Sequence, residues 1–307
     1  MSNLIGKYIN GNYHVAIYDD GTKVRYNNDE YMDAEFPESA DVKVTDFCAG
    51  TNCQMCHEQS GPHGVHGDLN NPLLDTIHPF TELAIGGGNP LSHPDLIPFL
   101  QKMKDKHVIC NLTVNLVHFL KHYNELLSWS ERKLIYGVGI SVSRPLTEEE
   151  CQKIAEFPNS VVHVIAGMVT NDVLNSLADH DIRLLILGYK KVGRGIEFYQ
   201  RHSKKIDFLI RKLSQGMSYW RHRFKLISFD NLALKQLDAK SLVTPEEWAR
   251  GFMGNDGQFT MYIDLVKGEY AVASTMERHP IPENIKTIDE LFALVKEEAR
   301  LMKNEDV

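Results

Sequence analysis

From residue 41 onward, short apolar runs alternate with stretches of helical periodicity. The runs at 42–45, 83–85, 108–114, 135–141, 161–165 and 184–187 read as strands, with 226–229 as a seventh. Strands separated by helix-length segments are joined by crossovers, which places them parallel in one sheet. Six or seven such strands predict an α/β fold built as a partial or complete βα barrel.

The two ends carry a different pattern. Tyr13 to Tyr18 and Lys23 to Tyr26 alternate with period two around Asp20-Gly21, a hairpin signal. A second hairpin is expected to turn at Lys267-Gly268, and a final helix to start at Thr287 with Glu290. Helix starts are also expected at Ser92, at Thr147 with Glu150, and at Thr244-Pro245 with Glu247, where side chains can satisfy free amides. The organisation predicted is an N-terminal β-hairpin extension (1–40), a βα core (41–235) and a C-terminal hairpin-and-helix cap (236–307).

At 307 residues and 43% hydrophobic, the chain can bury a full core. No run of about 18 apolar residues is present to span a bilayer, and the start has no apolar signal core, so a cytoplasmic protein without a membrane partner is expected. The formal charge of −8 is uneven: residues 190–225 carry eleven Lys or Arg against Glu197 and Asp207, which makes that segment +9 and the remainder −17. Such a segment is either a solvated helix face or a surface for an anionic partner.

Three of the five cysteines, Cys48, Cys53 and Cys56, fall within nine residues, directly after the first core strand. Clustered thiols in a reducing compartment indicate metal binding or redox chemistry rather than a disulfide framework. Three ligands are one short of a closed structural zinc site or a fully protein-ligated iron–sulfur cluster. About thirty residues later the next strand ends in Gly86-Gly87-Gly88-Asn89-Pro90.

A strand, a three-cysteine loop and a glycine-rich strand end together resemble the radical S-adenosylmethionine enzymes. In that family three cysteines bind three irons of a 4Fe–4S cluster, and the fourth iron chelates S-adenosylmethionine. The resemblance implies that Cys48, Cys53 and Cys56 hold such a cluster, that S-adenosylmethionine is cleaved to a 5′-deoxyadenosyl radical, and that the radical takes hydrogen from a substrate. It also implies a reductant such as flavodoxin or ferredoxin as partner. The spacing Cys-x4-Cys-x2-Cys is one residue longer than the commonest family form, and Gly50 can absorb the insertion through a positive φ. Gly86, Gly87, Gly88 and Asn89 match the Gly-Gly-Glu-Pro motif that meets the cofactor's methionine, with Asn89 in place of Glu. The motifs span 42–90, and the βα rhythm extends the likeness to about residue 190.

Functional residues collect at the C-terminal strand ends of βα barrels. By family likeness, Asn115 and Ser141 touch the cofactor's carboxylate or ribose. His57 packs beside the cluster, and Lys190, Lys191 and Arg194 stand where they can grip a phosphate or carboxylate. The substrate class is thus a nucleotide, nucleic acid or anionic metabolite, or else a peptide. Two alternatives remain: a Cys3His zinc site using His57, His63 or His66, and a non-catalytic recognition protein using the basic 190–225 segment.

Overall fold

The computed structural model describes residues 2–29, 31–49 and 53–305. Three antiparallel strands open the chain: β1 (Leu4–Asn10), β2 (Tyr13–Tyr18) and β3 (Lys23–Tyr26). The expected hairpin is β2–β3, and β1 adds a third strand on the far side of β2.

The strands predicted from the apolar runs all form. They are β4 (Ser39–Thr45), β5 (Glu82–Gly87), β6 (Ile109–Asn115), β7 (Gly137–Ser141), β8 (Ser160–Ile165), β9 (Arg183–Leu187) and β10 (Leu226–Phe229), paired parallel in chain order. The C-terminal strands β11 (Thr260–Asp264), β12 (Glu269–Ala271) and β13 (His279–Pro280) extend the same sheet. β11 pairs parallel with β4, and the hairpin turn at Lys267-Gly268 leads into antiparallel β12. The ten-stranded sheet runs from β10 at one edge to β13 at the other, without pairing between the edges among the described residues.

Helices cover the outer face: α1 (Leu96–Asp105), α2 (Leu116–Lys121), α3 (Tyr123–Glu131), α4 (Glu148–Glu156), α5 (Asn171–Leu177), the long α6 (Arg194–Trp220), α7 (Asn231–Gln236), α8 (Pro245–Gly251) and α9 (Ile288–Glu305). Alternation along each strand assigns the two faces. Leu112 and Val114 on β6, Val162 and Val164 on β8, and Leu184 and Ile186 on β9 are buried under helices. Their odd-numbered neighbours face inward.

The capping boxes expected at Thr147/Glu150 and Thr244/Glu247 are present, and Thr287 and Glu290 exchange the same pair of bonds at the start of α9. Ser92 does not cap α1. Its Oγ donates to Asn89 O inside a 3-10 turn, Pro90–Ser92, and α1 starts only at Leu96. The reason is Pro94, which disfavours helical geometry at His93. No described helix is long and apolar enough to cross a membrane.

Candidate active site

Inward-facing side chains from β4 through β10 line one cavity of about 810 Å3, a size typical of small-molecule sites. That both β4 and β10 contribute shows that the sheet curves around it. The cavity wall is polar at alternate positions, as with Asn111, Thr113 and Asn115 on β6. The β2–β3 turn, Asp19 to Gly21, reaches into one end, where Asn159 Nδ2 donates to Asp19 O at 2.9 Å. Cys48, Cys53 and Cys56 line the cavity beyond the C-terminal end of β4.

The cysteine loop is held through its backbone. Cys48 N donates to Gly61 O at 2.9 Å, Gly61 N to Asp46 O at 3.0 Å, and Cys56 N to Cys53 O at 3.2 Å. Gly88 N and Asn89 N then donate to Thr45 O and Phe47 O, both at 2.7 Å, which ties the glycine strand end to the chain entering the loop. That approach requires glycine. Gly87 has φ +107° and a Cβ there would lie 2.5 Å from Thr45 O; on Gly88 it would lie 2.2 Å from Phe47 O. Gly86 is different: the nearest atom to its would-be Cβ is in Thr113, 3.8 Å away, and it lines the cavity.

The sequence-predicted residues divide accordingly. The three cysteines, Gly86, Gly87, Gly88, Asn115 and Ser141 all line the cavity. Asn115 also caps α2, its Oδ1 accepting from Val117 N at 3.0 Å. Asn89 is not in the cavity wall, and its Oδ1 is buried without a hydrogen-bond partner. Among the described residues no group of three or more His, Cys, Asp or Glu is gathered to hold a metal ion. Gly50, expected to absorb the longer first gap, lies outside the described residues, as do Thr51 and Asn52. What fits a soft metal cluster is the donor set: three thiols from one loop, partly exposed, on one wall of the cavity.

The histidines are differently placed. His57 Nε2 lies 3.3 Å from Lys190 Nζ and 3.2 Å from Glu58 Oε1, and burial, reinforced by the Lys190 charge, lowers its pKa. His66 Nδ1 lies 2.9 Å from Thr45 Oγ1, and His63 is exposed. Burial also pushes His163, which faces the cavity from β8, down to about 4, with Lys190 adding to the effect. Its Nδ1 is buried without a partner.

The three cations considered for anion binding are engaged within the protein. Lys190 Nζ donates to Ser274 Oγ at 2.8 Å, and Lys191 stands over the Tyr199 ring, 3.6 Å from its centroid. Arg194 clasps the cysteine loop: Nε donates to Cys53 O at 3.2 Å, Nη2 to Ser60 O at 2.8 Å, and its backbone N to Cys56 O at 3.2 Å.

Sequence reasoning missed a buried ionic network behind the loop. Lys43 Nζ contacts Asp46 Oδ1 at 2.6 Å, Asp264 Oδ2 at 2.9 Å and Glu58 Oε2 at 3.2 Å. Arg278 bridges Glu58 Oε1 at 2.9 Å and Asp264 Oδ2 at 3.0 Å, and Tyr262 OH donates to Glu58 at 3.0 Å. The partners lie up to 221 residues apart, so no local pattern announces them. The one available signal was Lys43 itself, a charge in the middle of an apolar strand.

No protein-family model matches the chain, and none of the curated proteins does. Solved structures do. Native anSMEcpe with bound AdoMet superposes with a TM-score of 0.54 at 12% identity, over 85% of this chain and 82% of that one. Streptococcus suis SuiB bound to S-adenosylmethionine gives 0.52 at 12% identity, over 80% of this chain and 64% of that one. SuiB bound to precursor peptide SuiA gives 0.51 at 12% identity, over 78% and 60%. This chain therefore spans less than two thirds of SuiB. At such identity the likeness is one of fold, a mixed α/β chain around a large parallel sheet, shared with structures that hold S-adenosylmethionine.

Proposed function

We propose that this chain is a radical S-adenosylmethionine enzyme whose Cys48, Cys53 and Cys56 ligate a 4Fe–4S cluster at the mouth of the barrel cavity. The observation that carries this reading is convergence: the three cysteines, the Gly86–Gly88 strand end, Asn115 and Ser141 open on one cavity. The fold neighbours described with bound S-adenosylmethionine support it. When bound, the cluster and S-adenosylmethionine supply the one-electron reduction and radical chemistry that remove a substrate hydrogen.

The protein's part is placement and shielding. Arg194 and the Gly61–Asp46 and Cys48–Gly61 bonds fix the loop backbone, so that three thiols from one loop can close on one cluster. The missing side chain at Gly86 leaves room on the cavity wall for the cofactor's amino-acid end. Asn115 commits its carbonyl oxygen to α2 and keeps its amide donors for the cavity, where Ser141 offers a hydroxyl. His57, held toward its neutral form beside Lys190, adds no positive charge next to Cys56.

Anaerobic reconstitution with iron and sulfide tests the reading. The expected result is the broad visible absorbance of an iron–sulfur cluster and, after reduction, release of 5′-deoxyadenosine from S-adenosylmethionine. Cys53→Ala loses both. Colourless protein with stoichiometric zinc, or an intact cluster that yields no 5′-deoxyadenosine, refutes the proposal.

A further inference from the structure

The cations of the 190–225 segment are unevenly provided with partners. Lys190, Lys191 and Arg194 are held by Ser274, the Tyr199 ring and the cysteine loop. Further along, Arg201 pairs with Glu197 at 3.0 Å, Arg221 with Glu247 at 3.2 Å, and Arg223 and Lys225 with Asp179 and Asp181. Four of the eleven remain. Lys204, Lys205, Arg211 and Lys212 are exposed, and their side chains have no ion pair or hydrogen bond among the described residues.

Helical periodicity puts these four on one face of α6. Residues 204, 208, 211, 215 and 219 follow the three-and-four spacing, with 205 and 212 beside them, all beyond the kink at His202. Phe208, 54% exposed, and Tyr219, 56% exposed, lie on that face, about 16 Å apart along the axis. The opposite face is buried through Ile206, Leu213, Met217 and Trp220. The helix is thus anchored by its inner side and turns an aromatic and basic stripe outward.

Lys204, Lys205, Asp207, Phe208 and Arg211 line an open hollow on this stripe. Its one acid, Asp207, already accepts from Tyr199 OH, at 3.0 Å and 3.1 Å. Two pairs of cations therefore flank an exposed phenyl ring, a pattern complementary to carboxylates placed around an apolar group. The ring supplies an anchor that can be desolvated, and the cations supply a charged rim.

The extent of the stripe selects the kind of partner. Acids bracket it: Glu197 on the Arg201 side, and Asp179, Asp181 and Glu247 around the last cations. The unpaired track from 204 to 212 is about 12 Å long, and the chain outside 190–225 carries −17. A nucleic-acid backbone binds through a longer run of positive charge that displaces its counterions. A short acidic protein segment needs only this much.

We propose that the 204–219 face of α6 docks an acidic protein segment, whose carboxylates meet Lys204, Lys205, Arg211 and Lys212 while an apolar side chain packs on Phe208. The interface is independent of the cluster and is read without turnover.

The test is fluorescence anisotropy of the full chain with a labelled glutamate-rich peptide bearing one central leucine, beside a single-stranded oligonucleotide of equal charge. Saturable peptide binding that weakens with added salt is expected. Lys204→Glu with Lys205→Glu, and separately Arg211→Glu with Lys212→Glu, should each reduce affinity by roughly tenfold. Phe208→Ala should reduce it by roughly fivefold, whereas Lys7→Glu, exposed on β1, should leave it unchanged. Gln replaces Glu in any variant whose melting temperature falls. Absence of saturable peptide binding, an equal loss in Lys7→Glu, or tighter binding of the oligonucleotide overturns the proposal.

Discussion

Gly86 and Gly88 stand two residues apart at the same strand end and serve different purposes. A methyl group on Gly88 meets the Phe47 carbonyl at 2.2 Å, whereas on Gly86 it enters open cavity. Gly88→Ala is therefore expected to cost roughly 2–4 kcal/mol in urea unfolding, through displaced backbone. Gly86→Ala is expected to stay within about 1 kcal/mol of the parent and yet weaken S-adenosylmethionine binding by titration; equal stability losses would sink the distinction. His163, on the cavity wall, titrates well below its ordinary value because it is buried, with the Lys190 charge adding to the effect. Its folded pKa of about 4 lies below the ordinary 6.5, so the unfolded chain takes up the proton first as pH falls. Stability from this group is complete above pH 6.5 and is lost between 6.5 and about 4. His163→Gln should flatten that limb by roughly 1–3 kcal/mol, seen as a smaller drop in urea midpoint on acidification than in the parent.

At the scale of elements, the cysteine loop is a length of chain with little core of its own, fastened by Arg194 at the start of α6. Arg194→Ala removes both side-chain bonds and should make the segment around Cys53 the first site of limited proteolysis, with lower iron content after reconstitution. Lysine cannot reproduce the fork of donors, so Arg194→Lys should restore little; full restoration would mean that charge alone mattered. The clasp also shows what sequence reading reaches. Parallel strands of Val, Ile and Leu, and capping boxes such as Thr147/Glu150, are local patterns, and both appear where expected. The cysteines and glycines were legible because close spacing in one loop is itself the signal. Inward residues such as Asn111 and Thr113 alternate with Leu112, a period-two signature overlooked because the apolar run dominated. Arg194 read as an anion ligand since its distance to Cys53 O exists only after 141 residues have folded.

Across the whole molecule, the ionic network couples the C-terminal segment to the site. Asp264 ends β11, Arg278 comes from between β12 and β13, Lys43 lies on β4, and Glu58 is two residues past Cys56. Arg278→Met leaves Lys43 alone against Asp46, Glu58 and Asp264, and breaking a buried pair in this way is expected to cost roughly 3–5 kcal/mol at neutral pH. The size of that loss should depend on pH. Burial by itself would raise Glu58, but the hydrogen bond from His57 and the charges of Arg278 and Lys43 overcome it and hold the carboxyl well below its usual range. A carboxylate with a depressed folded pKa contributes stability that is present above its ordinary value of 4.5 and is lost as pH falls toward the folded value. Without Arg278 less of that contribution exists to be lost, so parent and variant should converge on acidification. Urea unfolding at neutral pH and at a pH below 4.5 measures the two gaps. A smaller gap in acid is the expected outcome, and a constant one would mean that Arg278 acts through packing on the Tyr262 ring, 4.5 Å away, rather than through Glu58. Because Glu58 ends the cysteine loop, the variant should also retain less iron after reconstitution at neutral pH, so that a change made 220 residues away is read at the site.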